Sequence, residues 1–143
     1  MRNMRESTIR RIERFDEGLN RLKNFSHLSL DEIRPEIRDS IERNLQVCTE
    51  ALIDIGRRII SEMNWRLPKD YKDTIQILWE NRVIDDDLNI NLKEIVGLRN
   101  LLVHLYASID FSEIYGNLNK YIIFLEKGMK TLLKFCKDKN IDP

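Results

Sequence analysis

The residues with the greatest chemical capacity in this sequence fall in one short stretch, Gly97-Leu98-Arg99-Asn100-Leu101-Leu102-Val103-His104-Leu105-Tyr106. An arginine, an asparagine, a histidine and a tyrosine interrupt otherwise apolar sequence there, and His104 is one of only 2 histidines in the chain. On a helix turning about 100° per residue, Asn100 and His104 share a face about 40° apart, with Arg99 beside them. Tyr106 returns to within about 20° of Arg99 by the same count. A core helix has no use for such a set, because burying these groups unpaired costs on the order of several kcal/mol.

Histidine beside arginine, with no nearby acid to complete a triad, suits phosphate chemistry. Histidine moves protons near neutral pH, and arginine grips a pair of phosphate oxygens and stabilises developing charge. RNA supplies its own nucleophile, the ribose 2′-hydroxyl, so cleavage needs no metal once a base, an acid and a cation are in place. One His–Arg pair is half of such a set. Two copies meeting across a two-fold axis would complete it, because a two-fold interface brings identical patches together. The plainer reading is that Arg99 and His104 satisfy helix ends or neighbouring carboxylates and that Tyr106 is a core aromatic. Spacing alone leaves both open.

The elements that must position these residues are helical throughout. Met4, Ile9, Ile12, Phe15, Leu19 and Leu22 recur mostly at three or four residues and predict a first helix with an arginine-rich outer face. His27 lies in the connection that follows and reads as a loop residue. Ser29 and Glu32 form a candidate capping box opening a second helix, whose stripe runs from Leu30 through Ile41, Cys48 and Ile55 to Met63. That helix exceeds thirty residues, spans about 50 Å, and accommodates Pro35 near its first turn. Gly56, within the stripe, would permit close helix approach. Asp70 caps a short third helix carrying Tyr71, Ile75, Leu78 and Trp79. Asp85-Asp86-Asp87 precedes a fourth helix expected from about Leu88 through Tyr106; capping accounts for the triplet more simply than a Mg²⁺ site does. The fourth helix is apolar on nearly all sides, as expected of one central in its bundle or shared with a partner. Asp110 and Glu113 suggest a second capping box, opening a final helix through Leu118, Leu125 and Cys136. The expectation is an all-α, antiparallel bundle of about five helices with a long second helix, forming one domain over residues 1–143.

Composition narrows the setting. Formal net charge is +0, from 24 basic and 24 acidic residues, so no global electrostatic case for a polyanionic partner exists. Charge is nonetheless segregated, with arginines concentrated in the first helix, lysines in the last and acids in the middle. Cys48 and Cys136 sit on apolar stripes without metal-ligand spacing, which reads as buried small hydrophobes in a reducing compartment. With no signal peptide and no apolar run long enough to span a bilayer, the expected location is the cytoplasm, with no membrane association.

The wider context of the Arg99–Tyr106 stretch adds a resemblance. Thr49-Glu50-Ala51-Leu52-Ile53-Asp54-Ile55-Gly56, Leu67-Pro68-Lys69-Asp70-Tyr71 and the short helix to Leu78, Val96 through Tyr106, and Ile109-Asp110 together resemble the HepT-like branch of the HEPN (higher eukaryotes and prokaryotes nucleotide-binding) family. The resemblance covers essentially the whole chain. It implies the toxin of a type II/VII-like toxin–antitoxin system, an all-helical, metal-independent endoribonuclease without cofactors. Its site would be composite, two Arg/His sets meeting across a homodimer. By position, Arg99 would bind and polarise the scissile phosphate, His104 would be the acid/base residue, and Asn100 would orient the site or hydrogen-bond the substrate. The resemblance further implies a minimal nucleotidyltransferase antitoxin that silences the toxin by transferring AMP from ATP to the motif tyrosine, here Tyr106. Leu105 departs from relatives that carry a polar or acidic residue between histidine and tyrosine, which bears on local substrate contacts. Two other readings stand beside this one: a non-catalytic nucleotide- or partner-binding subunit of a nucleotidyltransferase complex, and a polar set that merely fixes helix packing.

Overall fold

A computed structural model describes residues 6–104 and 108–143. The described residues form six α-helices and no strand: α1 (Glu6–Phe25), α2 (Pro35–Glu62), α3 (Tyr71–Glu80), α4 (Asp86–Leu102), α5 (Phe111–Gly116) and α6 (Leu118–Asp138). The all-α bundle is the architecture that the helical periodicity calls for. None of the described helices is long and apolar enough to cross a membrane.

α2 is the spine. It contacts α1, α3, α4 and α6, and buries Ile41, Leu45, Cys48, Leu52, Ile55 and Ile59 along its apolar stripe, with Ile53 and Ile60 on flanking positions. Its buried polar groups are satisfied within the helix: the Thr49 hydroxyl donates to the Leu45 carbonyl at 2.7 Å and the Asn44 amide to the Ser40 carbonyl at 2.7 Å. They therefore carry no unpaired-group penalty into the core.

The Ser29–Glu32 box is present, but it opens a single 3₁₀ turn, Leu30–Glu32, rather than α2. The Ser29 N–H and hydroxyl both donate to the Glu32 carboxylate, at 2.9 and 2.8 Å. Pro35 explains the difference. A proline disfavours the α conformation in the residue before it, and Arg34 is extended at φ −76°, ψ 164°, so the helix restarts with Pro35 as its first residue. The spine is therefore 28 residues, about 42 Å long.

The expected final helix is two. Asp110 accepts from the Ser112 N–H at 3.0 Å and opens only the six-residue α5, and the adjacent poor helix formers Gly116 and Asn117 separate it from α6. The break lets α5 answer a different anchor, the Tyr115 hydroxyl reaching the Phe25 and Leu28 carbonyls in the α1–α2 connection, while α6 packs Leu125, Met129 and Leu132 into the core.

Asp70 and Asp85 cap as expected, accepting from the N–H groups of Asp73 and Leu88, each at 2.8 Å. The rest of the acidic triplet is spent locally: Asp86 accepts from the Trp79 indole at 2.7 Å, and the Asp87 carboxylate from the Asn91 amide at 3.2 Å. Both cysteines are buried free thiols. Desolvation pushes Cys48 up to about 12 and Cys136 to about 11, so neither is a thiolate near neutral pH.

Two glycines set helix separation. A Cβ at Gly56 would lie 3.0 Å from Leu78, where α2 meets α3. One at Gly18 would lie 2.9 Å from the Cys48 sulfur and 3.2 Å from the Asn44 carboxamide oxygen, closer than the α1–α2 interface allows. Gly18→Val is accordingly expected to destabilise the fold by about 1–3 kcal/mol through overpacking. A Cβ at Gly116 meets nothing within 4 Å, so Gly116→Ala should stabilise by about 0.4–1 kcal/mol through the unfolded chain. Denaturant unfolding of the two variants checks the opposite signs.

Candidate active site

Arg99 and Asn100 occupy the last turn of α4, and α4 ends at Leu102 rather than continuing to Tyr106. Val103 is the cap, its N–H donating to the Arg99 carbonyl at 3.2 Å, and the His104 N–H closes a tighter turn onto the Leu101 carbonyl at 3.1 Å. The buried residues of α4 are Leu88, Leu92, Ile95 and Val96, all before Arg99, whereas Leu101 and Val103 are 49% and 39% exposed. In the last turn Leu102 still packs partly against the core but Leu101 faces solvent, so little burial is left to extend the helix, because helix stability in a protein comes chiefly from burial of a face. The shared helical face predicted for Asn100 and His104 therefore does not form. Tyr106 and Leu105 lie outside the described residues.

The structure gives Arg99 partners that its own helix does not supply. Its Nε and Nη2 donate to one carboxylate oxygen of Glu50 on α2, at 3.1 and 3.0 Å, and its Nη1 donates to the Asn100 side-chain oxygen at 3.3 Å. The guanidinium carbon lies 4.5 Å from the centre of the Tyr71 ring, and that of Arg57 lies 4.7 Å from the same ring. Both are in range for a cation–π contact. Arg57 also reaches the Thr74 hydroxyl at 3.4 Å, and the Gln46 amide donates to Glu50 at 3.3 Å. Arg99 is thus held by three helices at once, with its side chain only 20% exposed.

Arginine has five N–H donors, and the contacts found for Arg99 among the described residues use three. The unspent donors, on Nη1 and Nη2, suit a phosphate oxygen pair. His104 is exposed, and among the described residues no hydrogen bond or ion pair joins its side chain to Arg99 or Asn100. His27 is exposed in the α1–α2 connection, away from this stretch in sequence. Beside α4 lies an open groove of about 490 Å³ lined by Lys72, Gly97, Leu98, Leu101 and the start of α5. Among the described residues no group of three or more His, Cys, Asp and Glu side chains is placed to hold a metal ion.

Glu50 and Tyr71 are the residues that spacing did not reveal. Glu50 is 49 residues from Arg99 in the chain, and no periodicity links them. The only sequence signal was that both fall in the two segments, Thr49 to Gly56 and Leu67 to Tyr71, that carry the family resemblance.

Residues 6–132 match the family described as Ribonuclease HepT-like, and the chain belongs to that family. It is 39% identical over 74 residues to the mRNA nuclease HepT of Shewanella oneidensis, a match covering 52% of this chain and 56% of that one. It is 28% identical over 133 residues to the tRNA nuclease HepT of Aphanizomenon flos-aquae, covering 82% and 90%. Among solved structures, it superposes with a TM-score of 0.82 and 26% identity on a tri-AMPylated Shewanella oneidensis HEPN toxin in complex with its MNT antitoxin, over 92% of this chain and 99% of that one.

Tyr71, the first residue of α3, depends on that helix being held in place. Arg66 braces it with a bidentate pair to Asp73, both contacts at 2.8 Å, and a further contact to Glu80 at 2.8 Å. Arg66 and then the Lys69 N–H hold the Asp73 carboxyl down to about 2. A carboxyl depressed in the folded state stabilises above its unfolded value of about 4, and that contribution is lost as pH falls from there towards about 2. Arg66→Ala should bring the Asp73 titration up towards about 4 and flatten this part of the acid limb, which carboxyl-carbon NMR titration and pH-dependent unfolding would read.

Proposed function

We propose that this chain is the toxin of a toxin–antitoxin pair, a metal-independent endoribonuclease whose site is completed by a second copy. The observation that carries the reading is the state of Arg99: fixed by Glu50 and Tyr71, with N–H donors that no described residue takes up, five residues from an exposed histidine. A guanidinium anchored on one edge and open on the other is preorganised for a phosphate. In the proposed reaction the ribose 2′-oxygen attacks phosphorus and the P–O bond to the 5′-oxygen breaks, leaving a cyclic phosphate. His104 of one copy takes the 2′ proton, and His104 of the other protonates the leaving 5′-oxygen. Arg99 stabilises the charge gathering on the phosphoryl oxygens, and Asn100 orients Arg99 through its side-chain oxygen. The exposed Leu101 and Val103 beside these residues support a homodimer face here, since two apolar side chains at the end of a helix gain by meeting their own copies.

The antitoxin in this reading is a minimal nucleotidyltransferase. It transfers AMP from ATP to the Tyr106 hydroxyl, with pyrophosphate as the leaving group, and the added nucleotide blocks RNA by bulk and phosphate repulsion. The AMPylated state and MNT partner of the structurally similar Shewanella toxin support it. The relatives differ between mRNA and tRNA, so the substrate of this chain is proposed only as RNA.

The deciding experiment is cleavage of total cellular RNA, in EDTA, by protein produced without its partner. Arg99→Ala and His104→Ala should each lower the rate by at least about 10²-fold while the dimer persists in size-exclusion chromatography. Equal cleavage by wild type and both variants would defeat the catalytic assignment, and absence of cleavage by the wild type would favour the binding-subunit reading. Incubation with ATP and the partner should raise the intact mass by one or more AMP units, and Tyr106→Phe should abolish the gain; an unchanged gain would put the modification on another residue.

A further inference from the structure

A group of arginines lines the surface between α1 and α2. Two open grooves there, of about 370 and 490 Å³, are both lined by Arg14, Arg43 and Val47, and so run into one another. Arg10, Arg14 and Arg21 fall within about 40° of each other on α1. Most of the cations along this track are already matched: Arg10 to Glu6 at 2.6 Å, Arg11 to Asp54 at 3.4 Å and Arg21 to Glu17 at 4.0 Å. Arg14 and Arg43 are different. Both are exposed, neither has a carboxylate partner among the described residues, and they stand on opposite walls where the two grooves meet.

The track has a direction. Glu50 lines the first groove and lies two helical turns beyond Arg43 on nearly the same face of α2, about 10 Å along the axis. Glu50 is also the carboxylate that holds Arg99. A chain of phosphates gripped at Arg14 and Arg43 would therefore run along α2 to the guanidinium assigned to the scissile phosphate. Among the described residues, the apolar side chains lining the two grooves are Val47 and Ala51. Protein interfaces are anchored by large aromatic and apolar side chains in pockets, and the described residues lining this groove include none, so its chemistry favours a phosphodiester backbone over an acidic protein surface.

We propose that Arg14 and Arg43 form a phosphate clamp that binds single-stranded RNA and feeds it along α2 towards Arg99. The proposal rests on the nuclease reading above, and its test is binding rather than cleavage, so the two can fail separately. The probe is a short fluorescein-labelled, fully 2′-O-methylated single-stranded RNA, which lacks the nucleophile and stays intact, titrated with the wild-type protein at several salt concentrations. For Arg14→Gln with Arg43→Gln, affinity at moderate salt should fall on the order of tenfold, and the slope of log affinity against log salt should become shallower by about 1.4, two phosphates at roughly 0.7 each. Arg14→Lys with Arg43→Lys keeps the charge and should retain the wild-type slope, and unchanged circular dichroism of both variants confirms that they fold. Wild-type affinity and slope in the glutamine variant would overturn the clamp while leaving the nuclease reading intact. So would a glutamine variant that binds RNA normally but no longer forms a complex with the antitoxin, which would make the groove a protein-docking face. A wild-type protein that cleaves RNA yet shows no salt-dependent affinity for the probe would also overturn it. If the wild type neither binds the probe nor cleaves RNA, clamp and nuclease reading fall together.

Discussion

A helix of 28 residues in a chain of this size has nowhere to hide except inside it, and α2 is accordingly covered by α1, α3, α4 and α6. Burial on that scale removes apolar area from water along several turns at once, the largest favourable contribution available to a small bundle. It also demands that every polar group on the covered faces be satisfied. Thr49 and Asn44 meet the demand by donating back to carbonyls of their own helix, and the Cys48 thiol by donating to the Phe15 carbonyl on α1 at 3.5 Å. The remaining helices take their positions from this spine, and where they must come close the sequence has no side chain to obstruct them, at Gly18 and Gly56.

The site follows from the same constraint. α2 is not covered all round, and its one partly open stripe carries Arg43, Glu50 and Asp54. Glu50 faces the end of α4 closely enough to take two donors of Arg99, while α3, started by the Asp70 cap, brings Tyr71 under the same guanidinium. A partly buried arginine without a carboxylate would carry a heavy desolvation cost, and an arginine bonded on every edge would have nothing left for a ligand. Arg99 lies between these limits. Among the described residues its charge is compensated by one oxygen of one carboxylate, and part of its donor set remains uncommitted.

The end of α4 makes the opposite choice from the spine. Its buried residues stop at Val96, and beyond Arg99 the chain presents Leu101 and Val103 to solvent and leaves the helix before His104. Among the described residues these two apolar side chains are left only partly covered. That is what a shared interface looks like from one side, and it is where a composite site would need to be built. In the proposed homodimer, a second copy would cover that face.

The helical class, α1 over its described residues (Met4, expected on it, lies outside them), α3 and the bulk of α2 and α6, and the caps at Asp70, Asp85 and Asp110 were legible in the sequence. They depend on interactions three or four residues apart, which a linear pattern records. The chemically capable stretch around Arg99 was legible for a similar reason: its residue types contradict their apolar setting. Other features were not. The start of α2 turned on how Pro35 constrains Arg34, the division of the last helix on Tyr115 reaching back to Phe25 and Leu28, and the end of α4 on how little of the chain beyond Arg99 is buried. Above all, the pairing of Arg99 with Glu50 and Tyr71 joins residues far apart in the chain. Sequence alone determined which side chains were available to bind a phosphate and move a proton; only the tertiary structure decided which donors of Arg99 are spent and which remain, because that depends on distances between helices that no local pattern encodes.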